Sequence, residues 1–296
     1  MPGLSELGPA FCIGVAFALG LLIGSFLNVV IHRLPIMMER AERAYCAELQ
    51  APGSAAPPAE RYNLVAPRSA CPSCRAPIPS WHNIPVISWL ILRGRCANCQ
   101  AAISARYPLI ELLCAALSAA VVWKFGVGWT TLAALLFTWF LIALAGIDLD
   151  TKYLPDSLTL PLLWGGLLAS LGWSIHTTAS LPVSPWDAIC GAAGGYLSLW
   201  CVYQLFRLVT GKEGMGFGDF KLLAALGAWL GWRMLLPIVM GSAAAGSLIG
   251  IGLILTKRHK RDEFLPYGPF LAVAGWLAMM WGPQWVSAYL GLYGPE

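Results

Sequence analysis

Two aspartates stand at the edges of apolar stretches, where an ionisable side chain is costly and usually marks function. Asp148 follows the apolar run 130–147, and Asp219 precedes the run 222–230, which is apolar apart from a glycine. Two carboxyl groups held close together cannot both be ionised, so they share a proton. If both runs end on the same side of a membrane, Asp148 and Asp219 form a dyad suited to acid–base chemistry.

A glycine-rich segment, residues 214–218, leads into Asp219. The apolar run that follows ends at Gly231 and covers only about 18 Å of a hydrocarbon layer that is about 30 Å thick. Irregular backbone at such a depth is tolerated where it lines a water-filled cavity. Because glycine permits the close approach of another chain, Gly216 and Gly218 are predicted to support a loop on which an extended substrate forms main-chain hydrogen bonds.

The strongest local signal is a pair of Cys-x-x-Cys motifs, formed by Cys71 with Cys74 and by Cys96 with Cys99. Their spacing is typical of a tetrahedral zinc site with four thiolate ligands. Four protein ligands leave no open position for water, so the predicted zinc is structural and not catalytic. Disulfides are the alternative. They are disfavoured because the distribution of charge places these cysteines in a reducing compartment.

The elements that position these residues are predicted to be membrane helices. With 58% hydrophobic and 11% charged residues, the composition is typical of a polytopic membrane protein. The apolar runs predict an all-α polytopic membrane protein with about eight transmembrane helices. The predicted spans are residues 10–31, 107–123, 130–147, 158–173, 187–206, 220–230, 234–255 and 268–290.

The basic residues give these spans an orientation, because loops on the cytoplasmic side of a membrane are enriched in Lys and Arg. An outside N-terminus places every basic residue except Lys124 and Arg233 on the cytoplasmic side. The same alternation places Asp148 and Asp219 at the cytoplasmic boundary and the C-terminus outside. The net charge of +4 is then a consequence of topology, and we expect no binding of nucleic acid.

Residues 32–106 form the sizeable polar segment of the chain and are predicted to lie in the cytoplasm. Within this segment, residues 51–58 are proline-rich and small, as in a linker. The apolar run 84–92 is too short to span a bilayer, so it is predicted to pack on the membrane face or under the metal site. We therefore expect a small cytoplasmic zinc-binding module between the first two spans.

Glu111 lies about one turn inside the second predicted span. A carboxylate at the start of a helix favours the N-terminal end of the helix dipole, which is the simplest explanation of its position. The alternative is that Glu111 faces the same cavity as Asp148 and Asp219. The residues alone leave both explanations open.

Together, these motifs resemble those of the type IV prepilin leader peptidases, and the resemblance covers nearly the whole chain. It is specific because a GxGD motif occurs together with an upstream aspartate segment and two cysteine motifs. The resemblance rests on the four cysteines and on residues 24–29, 106–111, 148–156, 216–219 and 265–270.

The resemblance implies a bifunctional membrane enzyme of type IV pilus and type II secretion systems. Asp148 and Asp219 match the catalytic aspartates of the family, whose members remove the short basic leader of prepilins and pseudopilins after a glycine. Such an enzyme then transfers a methyl group from S-adenosylmethionine to the new N-terminal residue. Asp150 and Asp156 are neighbouring acids to which the motif gives no catalytic role.

The predicted spans, the distribution of charge and this resemblance together give an expected distribution of these activities along the chain. Residues 1–31 form the first span, residues 32–106 the zinc-binding module and methyltransferase part, and residues 107–296 the membrane-embedded aspartic peptidase domain. Glu111 is the candidate base for methyl transfer. The expected location is the bacterial inner membrane, in contact with lipid, with periplasmic termini and an active site at the cytoplasmic face.

Two other classes of protein are compatible with parts of the pattern. In a proton-coupled transporter, the boundary carboxylates would form a relay, but the chain shows no paired hydrophobic halves and no second broken helix. A non-catalytic assembly scaffold would dock through the zinc module, and it would leave Asp148 and Asp219 without a role. Only a peptidase is expected to reduce the mass of a leader-bearing prepilin.

Overall fold

The computed structural model describes residues 8–50, 61–173, 183–256 and 265–293, and in these ranges the regular structure is helical. The all-α prediction is therefore confirmed. The predicted linker, residues 51–58, lies outside the described residues. The helices are α1 (Pro9–Gln50), α2 (Ile87–Ile91), α3 (Arg106–Phe125), α4 (Trp129–Thr151), α5 (Asp156–Trp173), α6 (Pro185–Thr210), α7 (Phe217–Leu230), α8 (Leu235–Leu255) and α9 (Gly268–Tyr293).

Each predicted span coincides with one of the longer helices. Five helical segments are long and apolar enough to cross a membrane, namely α1, α3, α4, α6 and the segment Trp232–Leu255, which contains α8. The remaining three helices are shorter in their apolar length. The apolar part of α5 is Asp156–Leu171, that of α9 is Gly268–Gly282, and α7 has only 14 residues. The chain is thus a membrane protein with several apolar helices, and the number of spans stays a prediction.

Helix α1 does not end with the first predicted span, because it continues to Gln50 with Pro35 inside it. Proline cannot donate to the carbonyl group four residues earlier, which weakens a helix at that point. The residues from 36 to 50 are mostly Met, Glu, Arg, Ala and Leu, which are strong helix formers. Their propensity carries the helix past Pro35 into an exposed, charged extension.

The chain divides into two compact units, residues 1–127 and 128–296. In the first unit, α1 packs along α3 through small residues. A Cβ atom at Gly20 would lie 2.6 Å from Cα of Ala115, and one at Gly24 would lie 2.7 Å from Cα of Glu111. Small residues at such positions let two membrane helices approach closely. The division into a first span, a zinc-binding module and a peptidase domain from residue 107 stays a prediction. In the structure α3, which begins at Arg106, packs within the first unit.

Helix α7 is the buried element of the second unit, and it packs against α5, α6 and α9. All of its residues from Leu222 to Leu230 are buried. Its contact with α6 is tight, since a Cβ atom at Gly191 would lie only 2.2 Å from the carbonyl oxygen of Gly227. The indole nitrogen of Trp229 donates to the carbonyl oxygen of Leu162 in α5 at 2.7 Å. Because other helices surround it, α7 needs no lipid-matched length, which explains how a helix of 14 residues fits here.

Candidate active site and metal centre

Asp148 lies in the last turn of α4, and its side chain is buried. The helix ends four residues later at Lys152, which adopts a left-handed conformation and closes the last turn by donating to the Asp148 carbonyl oxygen at 2.8 Å. Oδ2 of Asp148 accepts a hydrogen bond from the main-chain N–H of Gly268 at 3.0 Å. Gly268 begins α9, so a helix N-terminus points at this carboxyl group, an arrangement that favours a negative charge.

Asp219 lies in the first turn of α7 and is also buried. Within the glycine-rich segment, Gly216 is the N-cap residue of this helix, and its main chain forms a hydrogen bond with the Asp219 carboxyl group. Gly216 has ordinary extended dihedral angles, φ −80° and ψ 147°. The backbone conformation at this position therefore does not require glycine.

The second unit brings the two aspartates together, near enough for their charges to interact. The phenol of Tyr267 also interacts electrostatically with Asp219, and its oxygen lies 2.6 Å from Oγ of Ser242. Two buried carboxyl groups and a phenol thus share one site. Their mutual repulsion opposes ionisation of both groups at once.

Leu154 fixes the spacing of this site, because it is packed between the first turns of α7 and α9. A Cβ atom added at Gly218 would lie 2.7 Å from Cβ of Leu154. One added at Gly268 would lie 3.2 Å from Cδ1 of Leu154 and 2.7 Å from Oδ2 of Asp148. Both glycines are therefore required sterically, and the buried Leu154 relates the helix that bears Asp219 to the connection that follows Asp148.

An ion pair also joins the connection between α4 and α5 to α7. Nζ of Lys221 lies 2.6 Å and 2.7 Å from the two carboxylate oxygens of Asp156, the first residue of α5. The pair is partly exposed, so its net stabilisation is modest. Its consequence is geometric, since it joins the segment after Asp148 to the helix that carries Asp219.

The sequence did not reveal Leu154, Lys221 or Gly268 as residues that hold the site. Each acts through a contact with a residue far along the chain, which no local periodicity reports. The nearest signal was the segment 265–270, where glycine and proline mark a helix start beside a tyrosine.

Glu111 belongs to the first unit, where it is buried one turn and a half into α3. Oε2 accepts a hydrogen bond from the main-chain N–H of Val86 at 2.8 Å. The hydroxyl group of Ser25 in α1 also hydrogen-bonds to this carboxyl group. Glu111 thus joins α1, α3 and the segment between the two cysteine motifs, a role more specific than a favourable helix dipole.

The four predicted metal ligands converge in the first unit. The sulfur atoms of Cys71, Cys74, Cys96 and Cys99 all lie within 4.8 Å of one another, and those of Cys71 and Cys99 are 3.7 Å apart. A tetrahedral zinc with bonds of about 2.3 Å requires sulfur atoms separated by about 3.8 Å. The donor set and its dimensions therefore fit a four-thiolate zinc site.

The two cysteine motifs have the same local structure. In the first, Arg75 donates to the carbonyl oxygen of Cys71 at 2.9 Å, and Cys71 donates to that of Ala76 at 3.0 Å. The second repeats this pattern from Gln100 to Cys96 at 3.0 Å and from Cys96 to Ala101 at 2.9 Å. Arg75 and Gln100 both have positive φ angles, 58° and 60°. Two matching turns point four sulfur atoms at one centre.

Hydrogen bonds in these turns favour the thiolate form that a metal ligand needs. A main-chain hydrogen bond from Ala76, together with the side-chain amide of Asn98, lowers the pKa of Cys74 to about 6. Main-chain hydrogen bonds from Cys99 and Asn98 lower the pKa of Cys96 in the same way. At Cys99 a main-chain hydrogen bond from Ala101 acts in the same direction, but hydrogen bonds with the neighbouring thiols and burial outweigh it and raise the pKa of Cys99 to about 11. Without a metal, the turns therefore favour the thiolate at Cys74 and Cys96.

Comparison with known proteins divides the chain much as its packing does. The sequence model of the bacterial peptidase A24 N-terminal domain matches residues 18–125, and that of the type IV leader peptidase family matches residues 135–251. No solved structure matches the chain.

Curated relatives resemble the chain over almost its full length. The prepilin leader peptidase/N-methyltransferase of Aeromonas hydrophila is 54% identical, with 95% of each chain covered. The protein of that name from Pseudomonas aeruginosa is 51% identical over 93% of this chain and 92% of its own. The one from Neisseria gonorrhoeae is 47% identical over 94% and 93%.

We predict that the purified protein contains about one zinc ion per chain, bound by the four cysteines. Replacement of Cys71 or Cys99 by serine removes a thiolate and is expected to release the metal, as measured by elemental analysis. Cys46→Ser is the matched control, since Cys46 is an exposed cysteine of the same unit outside the cluster. A protein without metal whose four thiols are oxidised to disulfides would contradict the assignment.

The surroundings of Gly216 and Gly218 predict different effects of alanine substitution on the stability of the protein. Alanine is favoured over glycine in a helix by about 1 kcal/mol, but at Gly218 its Cβ would collide with Leu154. We expect Gly218→Ala to destabilise the protein by about 1–3 kcal/mol. At Gly216 the nearest atom to the new Cβ is 3.9 Å away, so Gly216→Ala is expected to cost less than about 1 kcal/mol, the loss of a glycine N-cap. Thermal unfolding in detergent measures both, and equal stabilities would refute the role of Leu154.

Proposed function

Because the chain belongs to the type IV leader peptidase family, we propose that it cleaves the short basic leader of prepilins and pseudopilins and then N-methylates the new N-terminal residue. The observation that carries the proposal is the buried pair of Asp148 and Asp219, joined at one site by α4, α7 and α9. Neither a transporter nor a scaffold accounts for that pair together with about half-identical relatives named as peptidases.

Leader removal follows from two carboxyl groups that share one proton. The ionised carboxylate takes a proton from a water molecule, and the resulting hydroxide attacks the scissile carbonyl carbon. The protonated partner donates its hydrogen to the carbonyl oxygen as a tetrahedral intermediate forms. As the C–N bond breaks, the carboxyl group that took the proton from water gives it to the departing amine, and a hydroxyl group of the intermediate returns a proton to the other carboxylate. The new N-terminus leaves as a free amino group, and the pair again holds one proton.

The substrate is proposed to lie in extended form along the loop 214–218, where glycine allows close main-chain contact. The site faces the cytoplasm in this proposal, and the apolar part of the substrate stays in the lipid. The protein resides in the bacterial inner membrane with both termini in the periplasm. This orientation rests on the distribution of Lys and Arg.

Methyl transfer needs a neutral amine, whose lone pair attacks the methyl group of S-adenosylmethionine and displaces the thioether. We assign this step to the part of the chain at residues 32–106, with Glu111 as the candidate base that takes the ammonium proton. Its connection with Val86 at 2.8 Å ties that base to the cysteine-bearing segment. A zinc ion on the four cysteines would hold this segment in shape and take no part in the reaction.

One experiment tests both activities: detergent-solubilised protein is incubated with a prepilin and S-adenosylmethionine, and product masses are read. Asp148→Asn and Asp219→Asn are each expected to abolish leader removal, because an amide cannot share the proton. Neither variant should yield methylated product from the full precursor, whose amine does not yet exist. A pilin already trimmed of its leader should still be methylated by Asp219→Asn.

Asp150→Asn is the matched control, since Asp150 lies in the same helix two residues after Asp148 and is exposed. It should retain substantial cleavage. If Asp150→Asn were inactive and Asp148→Asn active, the catalytic residue would be Asp150, and the assignment of the dyad to Asp148 would be wrong. If folded Asp219→Asn fails on trimmed pilin, the two reactions share one site, and the proposed separation of activities is wrong.

A further inference from the structure

Helix α2, residues Ile87–Ile91, turns its apolar face outward. Ile87, Leu90 and Ile91 occupy positions i, i+3 and i+4, which form one stripe along a helix. In a water-soluble domain such a stripe faces the core. Here Leu90 is 62% and Ile91 is 74% exposed, whereas the polar Ser88 is 7% exposed. In α2, apolar side chains are therefore exposed and a polar side chain is buried, which is the opposite of the arrangement in a water-soluble domain.

The inward side of α2 is well satisfied, so the exposed stripe is not a consequence of loose packing. Oγ of Ser88 donates to the carbonyl oxygen of Trp81 at 2.8 Å. The indole nitrogen of Trp89 donates to the carbonyl oxygen of Ile103 at 3.1 Å. The ring of Trp81 and the side chain of Ile84 extend the apolar surface, being 69% and 46% exposed.

The hydrogen bond from Val86 to Glu111 sets the position of the start of α2 along the axis of α3. Val86, the N-cap residue of α2, donates to a carboxyl group five positions after Arg106, the first residue of α3. At 1.5 Å per residue, this position is about 7 Å along the helix. Val86 adopts φ 59°, an unfavourable angle for a β-branched residue. A strained turn is thus held at the level of the first turns of a candidate membrane span.

The outer surface of α3 at this level is apolar as well. Leu109 is 63% and Leu113 is 49% exposed, as expected for side chains that face acyl chains. Both lie two residues from Glu111, so the part of α3 that binds Val86 also carries exposed apolar side chains. Arg93 and Arg95 follow α2 directly and are suited to anionic headgroups.

We propose that residues 81–91 form an interfacial anchor, with α2 lying in the membrane plane at the boundary between headgroups and acyl chains. Amphipathic helices bind about 5–10 Å deep at this boundary. Cys74 and Cys96 flank the anchor in the sequence, so residues 75–95 form a loop whose two ends meet at the metal centre. The middle of this loop is held by lipid and by the hydrogen bond to Glu111. The anchor fixes the height of the cysteine cluster above the bilayer. It requires that α3 spans a membrane and does not depend on the proposed reaction.

The test places a fluorescent amino acid at Ile91 by stop-codon suppression in the full-length protein, reconstituted in phosphatidylcholine vesicles. Val65 is the matched control site, because it is an apolar residue of the same unit that is 87% exposed and outside the anchor. Two quenchers are compared: a nitroxide near the carbonyl end of the lipid acyl chain, and iodide in water. A prepilin cleavage assay on each labelled protein reports separately on the proposed function.

The anchor predicts that the label at position 91 is quenched severalfold more by nitroxide lipid than the label at position 65, and less by iodide. Leu90→Asp should shift the position-91 label toward iodide, whereas Val65→Asp should not. Equal iodide quenching at both sites would overturn the anchor. Protection of position 91 from both quenchers would also overturn it, since a protein surface would then cover α2.

Discussion

The structure depends on holding two carboxyl groups together inside a helical bundle. Burial and mutual repulsion both oppose this arrangement. The main-chain N–H of Gly268 and the main chain of Gly216 offset part of the cost by hydrogen bonding to the carboxyl groups. Leu154, packed on Gly218 and Gly268, keeps the two helix starts at a fixed separation. The charged groups are thus positioned mainly by backbone and small residues.

The need to deliver Asp219 to this site explains the character of α7. The helix is short and is enclosed by other helices from Asp219 onward, whereas Gly216 and Phe217 before it are exposed. Close packing against α6 is possible because glycines, Gly191 and Gly227, meet at the contact. The irregular glycine-rich segment can then occupy the space before the helix, where it is available to another chain.

Local pattern was sufficient to predict the positions of the longer helices, the clustering of the four cysteines and the placement of two aspartates at helix ends. Apolar runs, motif spacing and isolated charges are all properties of neighbouring residues. The pairing of Lys221 with Asp156 and of Val86 with Glu111 joins residues far apart in sequence, so it needed the structure. The extension of α1 past Pro35 was not predicted because an apolar run defines the membrane span, whereas the helix formers after Pro35 continue the helix beyond that run. Methyl transfer came from the resemblance alone, since no motif marks a methyl-donor site.

The two units also differ in how they are stabilised. The second is a bundle of closely packed helices, whereas the first joins a helix pair to a small segment with little apolar core of its own. In that segment, the paired cysteine turns and the Glu111 hydrogen bond take the place of a core. A structural metal is the usual means of stabilising a unit of that size.

Asp148 and Asp219 are proposed to act as one unit on one group of the substrate. The direct test is the binding of a leader-spanning peptide in which a hydroxyl-bearing carbon replaces the scissile carbonyl, measured for the wild type, both single Asn variants and the double variant. Groups that act together are strongly non-additive. Either substitution alone should therefore weaken binding by a similar large factor, and the double variant should bind no more weakly than either. Additive losses, or a loss from only one aspartate, would contradict a shared dyad.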